Sequence, residues 1–101
     1  FQTLTEQMFY LLLCLQQECC GVDIMERVRQ MIRDRVVIGP GTLYSLLESF
    51  LSEGFIRETK VEGRKRSYLI TPQGRERLAG EVRRLERQTE DYRKFGEGEF
   101  A

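Results

Sequence analysis

The last third of the chain carries the pattern that most restricts the fold. Thr71 and Pro72 predict a helix start, because threonine caps a helix N-terminus and proline suits the first helical position. From there, side chains recur at alternating spacings of four and three residues, forming a seam of Leu78, Val82, Leu85, Thr89 and Tyr92. So narrow a seam favours packing against another helix rather than on a globular core. Continued to about Phe95, the helix is roughly 36 Å long, so we expect it to project from so small a domain.

The first predicted helix is capped by Thr3 or Thr5 and runs to about Glu18. Its apolar face consists of Leu4, Met8, Leu11, Leu12 and Leu15, and three more residues widen it: Phe9, Tyr10 and Leu13. A helix that is apolar on more than one side is buried on more than one side. We therefore predict a homodimer whose interface combines these three widening residues with the seam of the last helix.

Two more helices lie between these. Asp23 is predicted to open the second helix, with a buried face of Ile24, Val28, Met31 and Ile32 and with solvent-facing arginines at 27, 29, 33 and 35. A short apolar bridge over residues 36–38 follows. Pro40 and Thr42 favour the start of the third helix and Gly54 its end, and the core positions between them are Leu43, Leu46, Leu47, Phe50 and Leu51.

Residues 55–61 and 67–70 are predicted to be strands, joined by turn residues at 62–64 into a hairpin with a basic tip. Three helices followed by a two-stranded hairpin is the order of a winged helix, the helix-turn-helix variant with a β-wing. We therefore predict a mainly α fold with a small β-hairpin. Residues 1–71 would form a winged-helix DNA-binding domain, and residues 72–101 a C-terminal dimerisation helix with a short tail.

Composition argues against catalysis. The chain has no histidine, so histidine-dependent nucleophile pairs and histidine acid-base catalysis are excluded. Cys14, Cys19 and Cys20 lack both the paired spacing and the histidine of a zinc site. We predict no enzymatic activity, no metal and no cofactor. Small buried or half-buried thiols explain the cysteines, and a redox-sensing thiol remains the alternative.

The same features bear on location. An odd number of poorly spaced cysteines is typical of a reducing compartment, so we expect a cytoplasmic protein. No apolar run reaches the length of about 18 residues that a membrane-spanning helix needs. No basic stretch precedes an apolar run near residue 1, so we expect no signal peptide.

Charge is balanced overall but not locally. Sixteen Lys and Arg match sixteen Asp and Glu. However, residues 27–35 hold four arginines against Asp34 alone, and residues 57–66 hold five basic residues against Glu58 and Glu62. Two basic patches on a neutral chain indicate directed contact with an anion, with an ordinary solvated surface as the alternative.

Several segments resemble the phenolic-acid-decarboxylase-regulator (PadR) family of bacterial transcriptional regulators, in its short branch with one C-terminal helix. They are residues 39–44, Leu47, residues 53–56 and residues 63–74. The resemblance implies a sequence-specific DNA-binding regulator, acting as a homodimeric repressor on an inverted-repeat operator. In some relatives, helices of this kind enclose an apolar chamber, which implies a small aromatic or drug-like effector at the dimer interface.

The predicted third helix supports contact with double-stranded DNA. Its face away from the core carries short hydroxyl side chains and no positive charge, which lets the backbone approach a major groove. The wing cations, the second-helix arginines and the helix N-terminal amides would then supply most of the affinity. The predicted contacts are Gly41, Thr42, Tyr44, Ser45, Ser49, Arg64, Lys65 and Arg66, whereas Tyr68 is predicted to be a core residue. Because the face carries no positive charge, a winged-helix protein-interaction module without DNA binding remains the alternative.

Overall fold

A computed structural model describes residues 3–33 and 35–96 of the chain. These residues form four helices and one antiparallel sheet, in the order α1 (Glu6–Cys14), β1 (Cys19–Cys20), α2 (Gly21–Ile32), α3 (Pro40–Glu53), β2 (Ile56–Glu62), β3 (Lys65–Ile70) and α4 (Pro72–Phe95). The predicted tail beyond residue 96 lies outside the described residues. The predicted order of three helices, a hairpin and a long last helix is confirmed.

Helix α1 is shorter than predicted. Of the two candidate caps, Thr5 is the one used: its hydroxyl accepts a hydrogen bond from the backbone N–H of Met8 at 3.2 Å. The helix ends at Cys14, so the prediction that it reaches about Glu18 was wrong. The carbonyl of Leu15 instead accepts a hydrogen bond from the N–H of Ile70 at 2.7 Å, and the chain leaves the helix towards the sheet.

The two residues of β1 form a strand that was not predicted. Cys19 pairs with Tyr68 and Cys20 with Ser67, so the strand order is β1-β3-β2 and the predicted two-stranded hairpin is a three-stranded sheet. Because β1 runs directly into α2, that helix begins at Gly21 rather than at Asp23.

Helix α2 buries Ile24, Val28 and Ile32 as predicted, but Met31 is 41% exposed, so its assignment to the buried face was wrong. In the last turn Ile32 occupies the core position, and Met31 is left partly in solvent. The helix ends at Ile32, and the following residue, Arg33, adopts the left-handed conformation. In α3, Leu51 also lies nearer the surface than predicted, at 36% exposure.

The core lies between the three short helices and the sheet. Its fully buried side chains are mainly leucines of α1 and α3, and burying each one contributes about 1.5–3 kcal/mol. The ring centroids of Phe50 and Phe55 are 6.1 Å apart, and this ring contact links the end of α3 to the start of the hairpin. The largest fully buried side chains of the core are those of Phe50, Leu11, Leu12, Leu15, Ile24, Leu43, Leu47 and Val28.

The start of α4 is fixed against the end of α3. The Thr71 hydroxyl donates to the carbonyl of Gly54 at 2.6 Å and accepts from the N–H of Gly74 at 3.0 Å. Gly74 packs so closely that a Cβ there would lie 2.1 Å from the carbonyl oxygen of Phe55. The direction in which α4 leaves the domain is therefore set by backbone contact with the end of α3.

Helix α4 extends well beyond the domain. The molecule measures 60 × 27 × 20 Å, and every α4 residue from Leu85 to Phe95 is exposed. The predicted projection of this helix is thus confirmed. No helix among the described residues is long and apolar enough to span a membrane.

Candidate nucleic-acid interface

Helix α3 presents one apolar and one polar face. Leu43, Leu47 and Phe50 are buried, and this fixes the opposite face, with Thr42 and Ser45, towards solvent. Neither hydroxyl is hydrogen-bonded to another described residue, so both are available to a ligand.

The N-terminus of α3 is open. Gly39 is the N-cap residue without a side-chain cap, and Pro40 occupies the first turn. Apart from the adjacent residues and the backbone of the helix itself, no atom lies within 4 Å of the position that a Cβ would occupy at Gly39 or Gly41. The first backbone N–H groups of a helix have no intrahelical partner, so this end can approach an anion closely.

The C-terminal half of the same face is acidic. Ser49 is half-buried and lines a shallow polar cavity of about 340 Å³ together with Ser45, Glu48, Ser52 and Glu53. The carboxylates of Glu48 and Glu53 at this site would repel a phosphate backbone. Of the predicted third-helix contacts, Gly41, Thr42 and Tyr44 lie outside this acidic cavity, whereas Ser45 and Ser49 line it.

The two tyrosines near this face, Tyr44 and Tyr68, differ in their exposure to solvent, as predicted. Tyr44 is 54% exposed, whereas Tyr68 is 6% exposed, and the prediction that Tyr68 belongs to the core is confirmed. Burial raises the pKa of Tyr68. Tyr44 therefore holds the only one of these two hydroxyls that a ligand could reach.

The cations of the wing differ in whether they have an ion-pair partner. Arg64 and Lys65 are exposed at the turn between β2 and β3, where Gly63 adopts a φ of 62° that favours glycine. Neither has an ion-pair partner among the described residues. Arg66 instead bonds Glu58 at 2.9 Å on the neighbouring strand.

A second wing cation is also neutralised. Lys60 lies 2.9 Å from Glu62, and this hydrogen bond lowers the pKa of the Glu62 carboxyl and raises that of Lys60. At the tip, Arg64 and Lys65 are the cations without an ion pair among the described residues, and the charge of Lys65 also contributes to the lowered pKa of Glu62, its partner in the strand register.

The predicted dimer residues fall into two sets. Phe9, Tyr10 and Leu13 are half-buried and pack on the core, and Leu78 is buried within its own chain. The rest of the seam is exposed. Except for Tyr92, these exposed seam residues border a groove of about 450 Å³ together with Phe9 of α1. The groove is lined by Phe9, Val82, Leu85, Glu86, Thr89, Glu90 and Arg93.

Sequence reasoning missed Glu81, a buried carboxylate on α4. It is 2% exposed and hydrogen-bonds Arg84, with Arg77 at 3.8 Å. The Arg84 hydrogen bond and a backbone hydrogen bond from Leu4 lower the pKa of Glu81. Its spacing from Arg77 and Arg84 looks like an ordinary surface charge pattern, so the sequence carries no signal that the chain before α1 covers it.

Two of the three thiols, those of Cys14 and Cys19, are poorly placed for chemistry. Cys14 and Cys19 are buried, and burial raises the pKa of Cys14 to about 12. The reactive thiolate form is therefore suppressed at neutral pH. Among the described residues, no group of His, Cys, Asp or Glu side chains is arranged to hold a metal ion.

Comparison with known families decides the assignment. The sequence model of the transcriptional regulator PadR-like family matches residues 11–80, which include α2, α3 and the whole wing. The chain belongs to the PadR-like family. The family comprises transcriptional regulators, and the resemblance that the sequence motifs indicated is confirmed.

Solved structures show how far this PadR-like fold extends along the chain. A transcriptional regulator from Clostridium thermocellum is 25% identical, with a TM-score of 0.73 over 89% of this chain and 91% of that one. A PadR family transcription regulator from Clostridium difficile is 20% identical, with a TM-score of 0.72 over 87% and 95%. RosR from H. salinarum is 20% identical, with a TM-score of 0.65 over 88% and 77%. No curated protein sequence matches this PadR-like chain.

Proposed function

We propose that this PadR-like regulator is a cytoplasmic repressor that binds an inverted-repeat operator as a homodimer. The observation that carries the proposal is the first half of α3, where exposed hydroxyls adjoin a helix N-terminus that has no side-chain cap. Repression requires only that the protein occupy its DNA site, and a DNA-binding dimer achieves this without a further activity.

The proposed DNA contacts combine α3 with the wing tip. Thr42, Tyr44 and Ser45 face the major groove, and the amides near Gly41 bind a phosphate. Arg64 and Lys65 supply most of the charge-dependent affinity, because each neutralised phosphate releases counterions. Glu48 and Glu53 keep the C-terminal half of α3 away from the backbone.

The proposed dimer uses the exposed seam of α4. Residues 1–71 act as the DNA-binding domain and residues 72–101 as the dimerisation segment. One winged helix buries too little DNA surface for a tight specific site, whereas a twofold dimer places two α3 helices about 34 Å or a multiple of it apart. An effector bound beside α1 and α4 would then act on this interface.

The test is footprinting on DNA upstream of the protein's own gene, combined with sedimentation equilibrium of the parent and of Leu85→Glu. We expect a footprint with twofold symmetry and a dimeric parent. Leu85→Glu places a charge in the seam, so dimerisation and operator affinity should weaken together. A stable complex with another protein, without any DNA binding at low salt, would instead support the protein-interaction module.

A further inference from the structure

Glu48 lies on the face of α3 that points away from the core. The buried residues of this helix are Leu43, Leu47 and Phe50. At 3.6 residues per turn, Glu48 is about 50° from the direction opposite these residues, whereas Glu53 is about 90° from it. The Glu48 side chain is exposed and has no hydrogen bond or ion pair with another described residue. Of the two carboxylates in the acidic cavity, that of Glu48 therefore lies nearer the middle of the outward face.

Helix α3 lacks the side chains that usually identify a base. It contains no arginine, lysine, asparagine or glutamine, and these are the side chains that bond guanine or adenine in the major groove most specifically. The hydroxyls of Thr42 and Ser45 can donate as well as accept, so they bond several bases and discriminate weakly. A carboxylate only accepts hydrogen bonds. Glu48 is therefore the residue of this face with the most selective chemistry.

A carboxylate matches one base edge in the major groove better than the other three. Guanine presents the acceptors N7 and O6 there, and thymine presents O4, so both would repel it. Adenine presents an amino group, but its own N7 and the O4 of the paired thymine flank that group. Cytosine presents its N4 amino group with an acceptor on one side only, the O6 of the paired guanine. The chemistry of Glu48 therefore favours cytosine.

The position of Glu48 also separates it from the phosphates. Thr42 and Tyr44 lie about 90° to either side of the outward direction, so their hydroxyls would face the two walls of a groove about 12 Å wide. Glu48 would lie nearer the floor, where the base edges are. Along the helix axis it is about 4.5 Å beyond Ser45, slightly more than the roughly 3.4 Å between base pairs. Ser45 and Glu48 can thus reach neighbouring base pairs.

We propose that Glu48 selects a cytosine in each operator half-site by accepting a hydrogen bond from its N4 amino group. This inference rests on the proposed function and names one base that the outward face of α3 reads. The hydrogen bond replaces water that the carboxylate loses when it enters the groove. Because the proposed operator is an inverted repeat, the cytosine occurs once in each half-site, at positions related by the twofold axis.

Selection of binding sites from a random DNA library measures this preference. The parent should select a twofold-symmetric site in which one position of each half prefers cytosine by about ten-fold. Glu48→Ala should accept all four bases at that position and keep the other preferences of the site. Glu48→Gln should prefer adenine there, because an amide can donate to N7 of adenine and accept from its N6 amino group.

Glu53→Ala is the matched control, since it removes the same charge from the same cavity. It should keep the cytosine preference, and circular dichroism should show that all the variants are folded. If the parent selects a symmetric site and Glu48→Ala selects the same bases, or if Glu53→Ala loses the cytosine preference as well, the role of Glu48 is wrong and the proposed function still holds. If the parent selects no DNA site at low salt, the proposed function itself is wrong.

Discussion

Arg35 donates a hydrogen bond from Nη2 to the hydroxyl of Tyr10 at 2.7 Å, and its guanidinium carbon lies 5.7 Å from the centroid of the tyrosine ring. The contact joins α1 to the segment between α2 and α3. One turn earlier in α1, the side chain of Gln7 donates to the carbonyl of Val37 at 2.9 Å. Helix α1, which borders the proposed dimer groove, is thus bonded to the segment that leads into α3.

Tyr10→Phe removes this hydroxyl but keeps the ring. We expect a loss of about 0.5–1.5 kcal/mol in the free energy of unfolding, because the partner is charged but exposed. Urea denaturation of Tyr10→Phe, Arg35→Gln and the double variant measures the coupling. Fully additive losses would show that the two side chains do not stabilise one another.

The wing tip should account for the salt dependence of DNA binding. Replacing Arg64 and Lys65 by alanine removes two phosphate contacts, so the slope of log affinity against log salt should become shallower by about 1.8. Arg66→Ala is the matched control, since Arg66 is paired with Glu58 and should change the slope little. Fluorescence anisotropy at several salt concentrations measures the DNA affinity of each variant and so the slope. If Arg66→Ala made the slope shallower by as much, the division of the wing cations into paired and unpaired groups would be wrong.

The first half of α3 should be more sensitive to added negative charge than the second half. Ser45→Glu places a carboxylate towards the groove and should weaken specific binding at least ten-fold, about 1.4 kcal/mol, without shifting the thermal midpoint, since Ser45 is exposed. Ser52→Glu adds the same charge beside Glu48 and Glu53, where we expect little DNA contact. Equal losses in gel-shift titrations of the two variants would mean that DNA contacts the whole face.

Glu81 should make stability depend on acid pH. Its pKa is lower in the folded protein than the ordinary 4.5, so its stabilising contribution is present above that value and is lost as pH falls through the folded pKa. Glu81→Gln should cost about 1–2 kcal/mol at neutral pH, because it leaves the Arg84 guanidinium without its carboxylate. The difference from the parent should shrink in chemical denaturation below about pH 4.5. A constant difference from neutral pH down to pH 3 would mean that folding does not lower the pKa of Glu81.

The two glycines within α4 should respond in opposite directions to alanine. Gly74→Ala forces a Cβ against the Phe55 carbonyl and should cost about 3 kcal/mol. At Gly80 the nearest atom to a new Cβ is the flexible end of Arg83 at 3.5 Å, so Gly80→Ala should gain up to about 1 kcal/mol from helix propensity. Thermal denaturation compares the midpoints of the two variants with that of the parent. A tolerated Gly74→Ala would show that α4 can move away from α3.

The elements that could be predicted from the sequence are those whose boundaries are marked by residues next to them in the chain. Helix α4 was predicted with both its boundaries because Thr71, Pro72 and the glycine after Phe95 act on adjacent backbone. The strand at Cys19 and Cys20 was missed because it consists of two residues, and its partner Tyr68 lies far along the chain. No local pattern marks so short a strand.

The site was predicted as a set of positions but not as a set of interactions. The outward face of α3 follows from helical periodicity alone, so Thr42 and Ser45 were placed correctly on the surface. The pairing of Arg66 with Glu58 depends on the strand register, which includes an irregularity between Glu58 and Lys60. Burial of Glu81 depends on the chain near Leu4, and helix spacing carries no information about that contact.

The hydroxyl of Thr71 bonds both Gly54, which caps the end of α3, and the first turn of α4, so this joint restricts the angle between the two helices. Over the roughly 36 Å of α4, a rotation of about 5° at this joint displaces the far end by about 3 Å. In a dimer held through the far ends, the reverse also applies. A small change in the angle at which the two copies of α4 cross would move each copy of α3 by a distance comparable to the rise of one base pair, enough to shift the bases that it reads.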